Sequence, residues 1–227
     1  MVKVGLSGNR YSGKTTICKG FSLIGVPVFE ADVILKLIIN HDFNVITKIK
    51  ETMGSSIFTP MSFVDPETIR SKEDFDKIID CAYPYLMRAY DKFNFTNSHS
   101  IYTIFKSSIL FERNWNSMMD FNICIFAPKY TRVDRCRHKS KTENLGRFKK
   151  DYLSIDKLLA NEIEDGSKNV LANFVIHNYA AARPITEQIS KIDSDIISKY
   201  VKANQLKRTE DDNLGLMADQ DWRRILT

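Results

Sequence analysis

Near its N-terminus the chain reads Gly8-Asn9-Arg10-Tyr11-Ser12-Gly13-Lys14-Thr15, followed directly by Thr16. This stretch fits the pattern G-x-x-x-x-G-K-[ST], in which glycines let backbone N–H groups converge on a phosphate. In such a loop the lysine reaches the β- and γ-phosphates of a nucleotide, and the hydroxyl group after it is a ligand for Mg²⁺. The sequence therefore predicts that residues 8–16 bind ATP, with Lys14 on its phosphates and Thr15 on Mg²⁺.

The residues on either side of this loop have the patterns of a strand and a helix. Residues 2–7 are mostly apolar and include β-branched side chains, whereas residues 16–24 carry apolar side chains at helical spacing. A phosphate loop needs this order, because the N-terminus of the helix adds its positive dipole end to the site. The alternative is a strand-to-helix turn that happens to contain two glycines and a lysine, and this context disfavours it.

Five short apolar runs alternate with helical stretches along the chain. We predict strands at residues 2–7, 26–29, 101–105, 121–126 and 172–177. Continuous apolar runs of this length are typical of parallel strands that are covered on both faces. The prediction is an α/β fold of the P-loop NTPase type, a three-layer doubly wound five-stranded parallel sheet, in a single domain over residues 1–202.

Residues 33–99 are predicted to form a helical insert between the second and third strands. The periodicity there is helical almost throughout, with Gly54 as a helix stop and a long helix that begins near Ser71. We expect Pro84 to kink or break this long helix, because proline lacks an N–H group and its ring clashes with the preceding turn. A helical insert at this edge of the sheet would form one wall of a substrate cleft.

Two acidic residues, Glu30 and Asp32, follow the second strand. In open parallel sheets ligands bind beyond the carboxyl ends of the strands, so both carboxylates should lie on the same edge as the phosphate loop. A carboxylate there could accept a proton from a substrate hydroxyl or hold Mg²⁺ through water. Asp32 could also be the N-cap of a helix that starts at Val33, and the two roles are compatible.

A basic segment, residues 129–165, lies between the fourth and fifth strands. Most charge runs form the solvated face of a helix. This run begins just past the carboxyl end of a strand, where a lid over a triphosphate would lie, and arginines in such a lid stabilise charge on the transferred phosphoryl group. We therefore predict a basic lid, and we do not expect a nucleic-acid partner.

The composition is that of a globular protein, with 227 residues, 43% hydrophobic residues and a net charge of +5. The sequence has no run of about 18 apolar residues and no signal-peptide pattern, so we expect a soluble, cytoplasmic protein without a membrane partner. The four cysteines are scattered and are predicted to be reduced thiols. The many Lys, Asn and Ile residues suggest an A/T-rich genome, such as that of a phage. Residues 203–227 form a charged tail.

Taken together, the motifs resemble those of the dephospho-CoA kinase family over the chain up to about Tyr200. Beyond the phosphate loop, Glu30-Ala31-Asp32 stands where the family has D-A-D, and Ile109-Leu110-Phe111-Glu112 resembles its P-L-L-F-E motif. Residues 172–178 resemble its A-D-x-V-I-x-N motif, which ends here at Asn178.

This resemblance implies a phosphotransferase that uses ATP and Mg²⁺ to phosphorylate the ribose 3′-hydroxyl of dephospho-CoA. It implies that Asp32 is the general base, and that Asn178 lies near the adenine. Arg135 falls where a lid arginine is expected, and Arg147 resembles the arginine of the family's R-I-x-x-Q segment. The implied catalytic residues are therefore Lys14, Asp32, Arg135 and Arg147.

The departures from the family pattern concentrate on the acceptor side. Tyr83 stands where the family has His, and Lys106-Ser107-Ser108 replaces a strand end that is usually apolar and followed by Pro. The alternative is therefore a nucleoside or deoxynucleoside monophosphate kinase on the same scaffold, in which Lys106 could bind the α-phosphate of the acceptor. A third reading is a catalytically inactive protein that binds nucleotides, or that binds nucleic acid through the basic segment.

Overall fold

The structure is a computed structural model that describes residues 1–59, 63–65, 68–69, 71–142 and 165–202. Its five strands are β1 (Val2–Gly8), β2 (Val28–Glu30), β3 (Tyr102–Lys106), β4 (Phe121–Phe126) and β5 (Phe174–His177). They form one sheet in the order β2-β3-β1-β4-β5, and every neighbouring pair is parallel. The predicted five-stranded parallel α/β fold is confirmed.

Helices cover both faces of this sheet. They are α1 (Lys14–Leu23), α2 (Ala31–His41), α3 (Phe43–Met53), α4 (Lys72–Thr96), α5 (Lys129–Thr142), α6 (Asp165–Leu171) and α7 (residues 185–202). Short 3₁₀ turns occur at Ser55–Ile57 and Trp115–Met118.

Neighbouring residues of β3 show the two layers of the core. Ile104 packs in a cluster with Ile17 and Phe21 of α1 and with residues of α7. Phe105 points to the opposite face and packs in a cluster with α2, α3 and α4, which includes Leu86. Successive side chains of a strand point to opposite faces, so a fully apolar strand must be covered on both sides. The three-layer arrangement follows from this.

The strand register determines which residues meet at the carboxyl edge of the sheet. Leu6 of β1 pairs with Lys106 of β3, and Lys106 pairs in turn with Glu30 of β2. On the other side of β1, Gly8 pairs with Ile125 of β4. The start of the phosphate loop and the acidic turn after β2 therefore flank the end of β3.

Helices α2 to α4 occupy the connection between β2 and β3. The carboxylate of Asp42 accepts from the backbone N–H groups of Asn44 and Val45 and caps α3, which ends as expected at Gly54 with φ +84°. Ser71 caps α4 through a hydrogen bond of 3.1 Å from the Asp74 backbone. Among the described residues of this connection there is no strand, only an isolated bridge between Phe58 and Val64.

Of the two effects predicted for Pro84, a kink or a break, the break does not occur. Helix α4 is continuous for 25 residues around Pro84. Proline in a helix interior costs about 3 kcal/mol, but most helical stability in proteins comes from the packing of an apolar face. Ile79, Ala82, Leu86 and Tyr90 on α4 are each at most 2% exposed, and their burial on both sides of Pro84 outweighs the lost hydrogen bond.

The cysteines agree with the expectation of reduced thiols, because none of the four is in a disulfide. Cys18, Cys81 and Cys124 are buried, and burial raises the pKa of the Cys18 thiol to about 12. In the described part of the chain, no helix is long and apolar enough to cross a bilayer. Most of the predicted basic lid, including Arg147, and the whole 203–227 tail lie outside the described residues.

Candidate active site

The predicted phosphate loop connects β1 to α1, and its last glycine begins the helix. Gly13 occupies the N-cap position of α1 with φ +99°, a left-handed conformation that glycine adopts without strain. Lys14 is the first residue of the helix. Its ammonium donates to the backbone carbonyls of Gly8 at 2.6 Å and Asn9 at 3.2 Å. The ammonium therefore lies against the start of the loop.

Several polar groups in the loop and at the end of β1 are suited to an anion. The hydroxyl groups of Ser7 and Ser12 are buried and have no hydrogen-bond partner within the described residues. The first turn of α1 contains no acidic residue, and its N-cap Gly13 has no side chain to satisfy the helix N–H groups. Leaving a buried polar group unpaired costs about 1–3 kcal/mol. A phosphate would satisfy such groups, so the loop fits a nucleotide.

Arg135 and Asn178 hold the outer side of the loop. Asn178 follows β5, is 9% exposed, and donates from its side-chain amide to the carbonyl of Ser12 at 2.7 Å. The guanidinium of Arg135, on α5, donates to the carbonyls of Tyr11 at 3.1 Å and Ser12 at 3.2 Å. It also donates to the backbone and side-chain oxygens of Asn178. The structure thus brings both predicted residues to the loop, where their partners are backbone carbonyls.

Replacing Gly13 with Ala is expected to weaken nucleotide binding at least about tenfold. A Cβ at a positive φ costs about 1–2 kcal/mol, and at Gly13 it would also collide with the side-chain amide of Asn178. The matched control is Gly25→Ala, because Gly25 has a similar φ of +87° but no atom within 4 Å of the added Cβ. Thermal unfolding and titration with a fluorescent ATP analogue compare the two variants. Equal losses of affinity would contradict a specific role for the Gly13–Asn178 contact.

Asp32 lies in the first turn of α2 and is fixed by two serines after β3. One carboxylate oxygen accepts from the Ser107 hydroxyl at 3.1 Å, and the other accepts from the Ser108 hydroxyl at 2.7 Å. The Ser108 backbone N–H donates to both oxygens at 3.0 Å. The carboxylate is therefore held at the carboxyl edge of the sheet.

The interpretation of Asp32 as the N-cap of α2 is wrong. The helix begins one residue earlier than Asp32, at Ala31, so Glu30 is at the N-cap position and makes no side-chain cap. Asp32 is therefore inside the helix, and its carboxylate accepts from Ser107 and Ser108 after β3. The sequence signal for this contact is the Ser107-Ser108 pair, which departs from the family motif.

Lys106 joins the phosphate loop helix to the acidic turn. It is the last residue of β3 and is only 7% exposed. Its ammonium donates to the Glu30 carboxylate at 2.9 Å and to the Thr15 hydroxyl at 3.4 Å. The hypothesis that Lys106 binds the α-phosphate of an acceptor stays a prediction; in this structure the ammonium contacts Glu30 and Thr15.

The residues expected to hold Mg²⁺ do not fit a divalent cation in this geometry. The Lys106 ammonium lies within hydrogen-bond distance of both Thr15 and Glu30, whereas Mg²⁺ needs a near-octahedral oxygen shell at about 2.0–2.1 Å. No cluster of three or more His, Cys, Asp or Glu side chains that could hold a metal occurs in the described ranges.

Tyr83, the other acceptor-side departure, takes part in packing. Its ring stacks on Trp115 with 5.5 Å between the ring centroids, its hydroxyl donates to the Met118 sulfur at 3.0 Å, and burial raises the pKa of its phenol. Tyr83 therefore braces α4 against the 3₁₀ turn at Trp115–Met118.

The parallel sheet, the loop after its first strand and the helices on both faces define a P-loop kinase fold. The model of the dephospho-CoA kinase family matches residues 2–183. The chain belongs to the dephospho-CoA kinase family, whose members are phosphotransferases. The resemblance inferred from the motifs is confirmed.

Similar proteins agree with this assignment. The dephospho-CoA kinase of Clostridium perfringens is 24% identical over 194 residues, which cover 75% of this chain and 92% of that protein. The dephospho-CoA kinase of Dichelobacter nodosus is 24% identical over 202 residues, which cover 86% of this chain and 97% of that protein. The crystal structure of TT1252 from Thermus thermophilus superposes with a TM-score of 0.65 at 16% identity, and covers 87% of this chain and 97% of TT1252. This last similarity shows the fold.

Proposed function

We propose that the protein transfers the γ-phosphoryl group of ATP to the ribose 3′-hydroxyl of dephospho-CoA, giving CoA and ADP. The observation that carries the proposal is the Asp32 carboxylate, held by Ser107 and Ser108 at the edge of the sheet where the phosphate loop begins. Membership of the dephospho-CoA kinase family supports this acceptor. We further propose a cytoplasmic reaction, because reduced thiols such as these persist in that compartment.

The donor site would be the loop at residues 8–16. The loop N–H groups and the buried hydroxyls of Ser7 and Ser12 would receive the phosphates, and the Lys14 ammonium would move from the loop carbonyls to the β- and γ-phosphates. Mg²⁺, where it takes part, would enter bound to the phosphates of ATP. Arg135 would keep the loop in its binding conformation through the Tyr11 and Ser12 carbonyls.

Asp32 would act as the general base. As the 3′-oxygen attacks the γ-phosphorus, the hydroxyl O–H bond breaks and its proton passes to the Asp32 carboxylate. A new P–O bond forms, and the bond between the γ-phosphorus and the bridging oxygen of ADP breaks. Fixed positive charges then stabilise the transferred group; we propose Lys14 for this role, and Arg147 from the lid.

A panel of acceptors tests the proposal. Wild-type protein is incubated with γ-labelled ATP and, separately, with dephospho-CoA, its 3′-deoxy analogue and each nucleoside monophosphate. We expect label on dephospho-CoA and none on the 3′-deoxy analogue, since that analogue lacks the attacking oxygen. Label on nucleoside monophosphates alone would favour the monophosphate kinase. Absence of any transfer, with salt-sensitive binding of nucleic acid, would favour the inactive binding protein.

A further inference from the structure

We infer that Lys106 supplies, inside the protein, the positive charge that a divalent cation supplies beside other phosphate loops, so that this protein binds ATP without Mg²⁺. The inference rests on the proposed ATP site. It concerns how that site neutralises the phosphates, and it makes no assumption about the acceptor.

The first support is the position of the ammonium. The hydroxyl that follows the lysine of a phosphate loop is the group such loops offer to Mg²⁺, and here that hydroxyl belongs to Thr15. The Lys106 ammonium lies 3.4 Å from it. The location is fixed by the backbone, because Lys106 ends a strand inside the sheet with β1 on one side and β2 on the other.

The second support is burial. The side chain of Lys106 is 8% exposed, and a buried ammonium must be paired, because burying an isolated charge is strongly unfavourable. Solvent screens buried charges much less than surface charges. A triphosphate in the adjacent loop would therefore be attracted by this cation more strongly than by an exposed lysine at the same distance.

The third support is the asymmetry of its partner. The Glu30 side chain is 42% exposed, in contrast to that of Lys106, so water partly neutralises the carboxylate while the ammonium is buried beside the Thr15 hydroxyl. Glu30 accepts from the ammonium, and the amide oxygen of a Gln side chain at this position can accept in the same way. In the competing interpretation Glu30 holds Mg²⁺ through water. That interpretation predicts that removing the charge of Glu30 weakens ATP binding in Mg²⁺, whereas our inference predicts no loss of affinity.

Nucleotide affinity distinguishes these interpretations without any turnover. A fluorescent ATP analogue is titrated into the full-length protein in EDTA and in excess Mg²⁺. The variants are Lys106→Met, Glu30→Gln and the control Lys19→Met, which removes the same charge from an exposed position on the same helix as Thr15. Thermal unfolding checks that each variant is folded.

We expect the wild-type Kd in EDTA to stay within about threefold of its value in Mg²⁺. Lys106→Met should bind at least about tenfold more weakly in EDTA, and Mg²⁺ should restore part of the loss. Lys19→Met should behave like wild type. Glu30→Gln should bind as tightly as wild type or more tightly in both buffers, because it removes a negative charge near the phosphates.

Other results would overturn the inference. It is wrong if wild-type affinity falls about tenfold or more in EDTA, or if Glu30→Gln loses affinity only in Mg²⁺, as expected for a metal ligand. These two measurements do not depend on Lys106→Met, so they decide the matter even if that variant fails to fold. Absence of wild-type binding in both buffers would reject the proposed ATP site, and this inference with it.

Discussion

Asp32→Asn is expected to lower kcat with dephospho-CoA about a hundredfold or more, while the affinity for ATP changes little. The amide cannot take the proton of the attacking hydroxyl. It can keep the local geometry, because its oxygen still accepts from the Ser108 backbone and the Ser108 hydroxyl can accept from its N–H group. The loss should therefore reflect the missing base and not a displaced side chain.

The measurement is kcat from initial rates at saturating ATP and acceptor, together with the Kd of a fluorescent ATP analogue. Asp42→Asn is the matched control, because it removes the same charge from the N-cap of the neighbouring helix α3, and asparagine caps helices as well as aspartate does. It should retain wild-type kcat. If Asp32→Asn keeps kcat within about threefold of wild type, proton removal by Asp32 is wrong, and an acceptor that is already ionised, such as a phosphate, becomes the better choice.

The core of the fold could be predicted from local sequence patterns. The predicted strand at residues 121–126 matches β4 residue for residue, and the strand, loop and helix around residues 8–16 were expected in that order. These patterns are local, because burial on both faces of a parallel strand requires a continuous apolar run, and a phosphate loop requires glycines directly before a helix.

The contacts at the end of β3 could not be predicted in the same way. Glu30 and Lys106 are far apart in sequence, and they meet only because β2 pairs with β3 in a register that sets them side by side. The partner of Asp32 depends likewise on where α2 begins, and sequence patterns locate helix ends only to within a few residues. Lys106-Ser107-Ser108 departs from the family motif, and in the structure these residues connect the phosphate-loop helix to the acidic turn.

Lys14→Met is expected to lower kcat/KM about a thousandfold or more. Its ammonium lies at the start of the loop, 2.6 Å from the Gly8 carbonyl, and in a phosphate loop this charge contacts the phosphates on both sides of the bond that breaks. Negative charge on these oxygens grows in the transition state. The fall in kcat/KM should therefore exceed the fall in ATP affinity, which we expect to be about tenfold.

Two measurements separate this role of Lys14 from a structural one. Thermal unfolding of Lys14→Met should remain close to that of Lys19→Met, which removes an exposed charge from the same helix, because methionine keeps most of the apolar stem of lysine. A fall in kcat/KM that merely equals the fall in ATP affinity would mean that Lys14 binds the ground state and the transition state equally. A kcat/KM equal to that of wild type would show that residues 8–16 are not the phosphoryl-donor site, since the lysine of such a loop contacts the transferred phosphate.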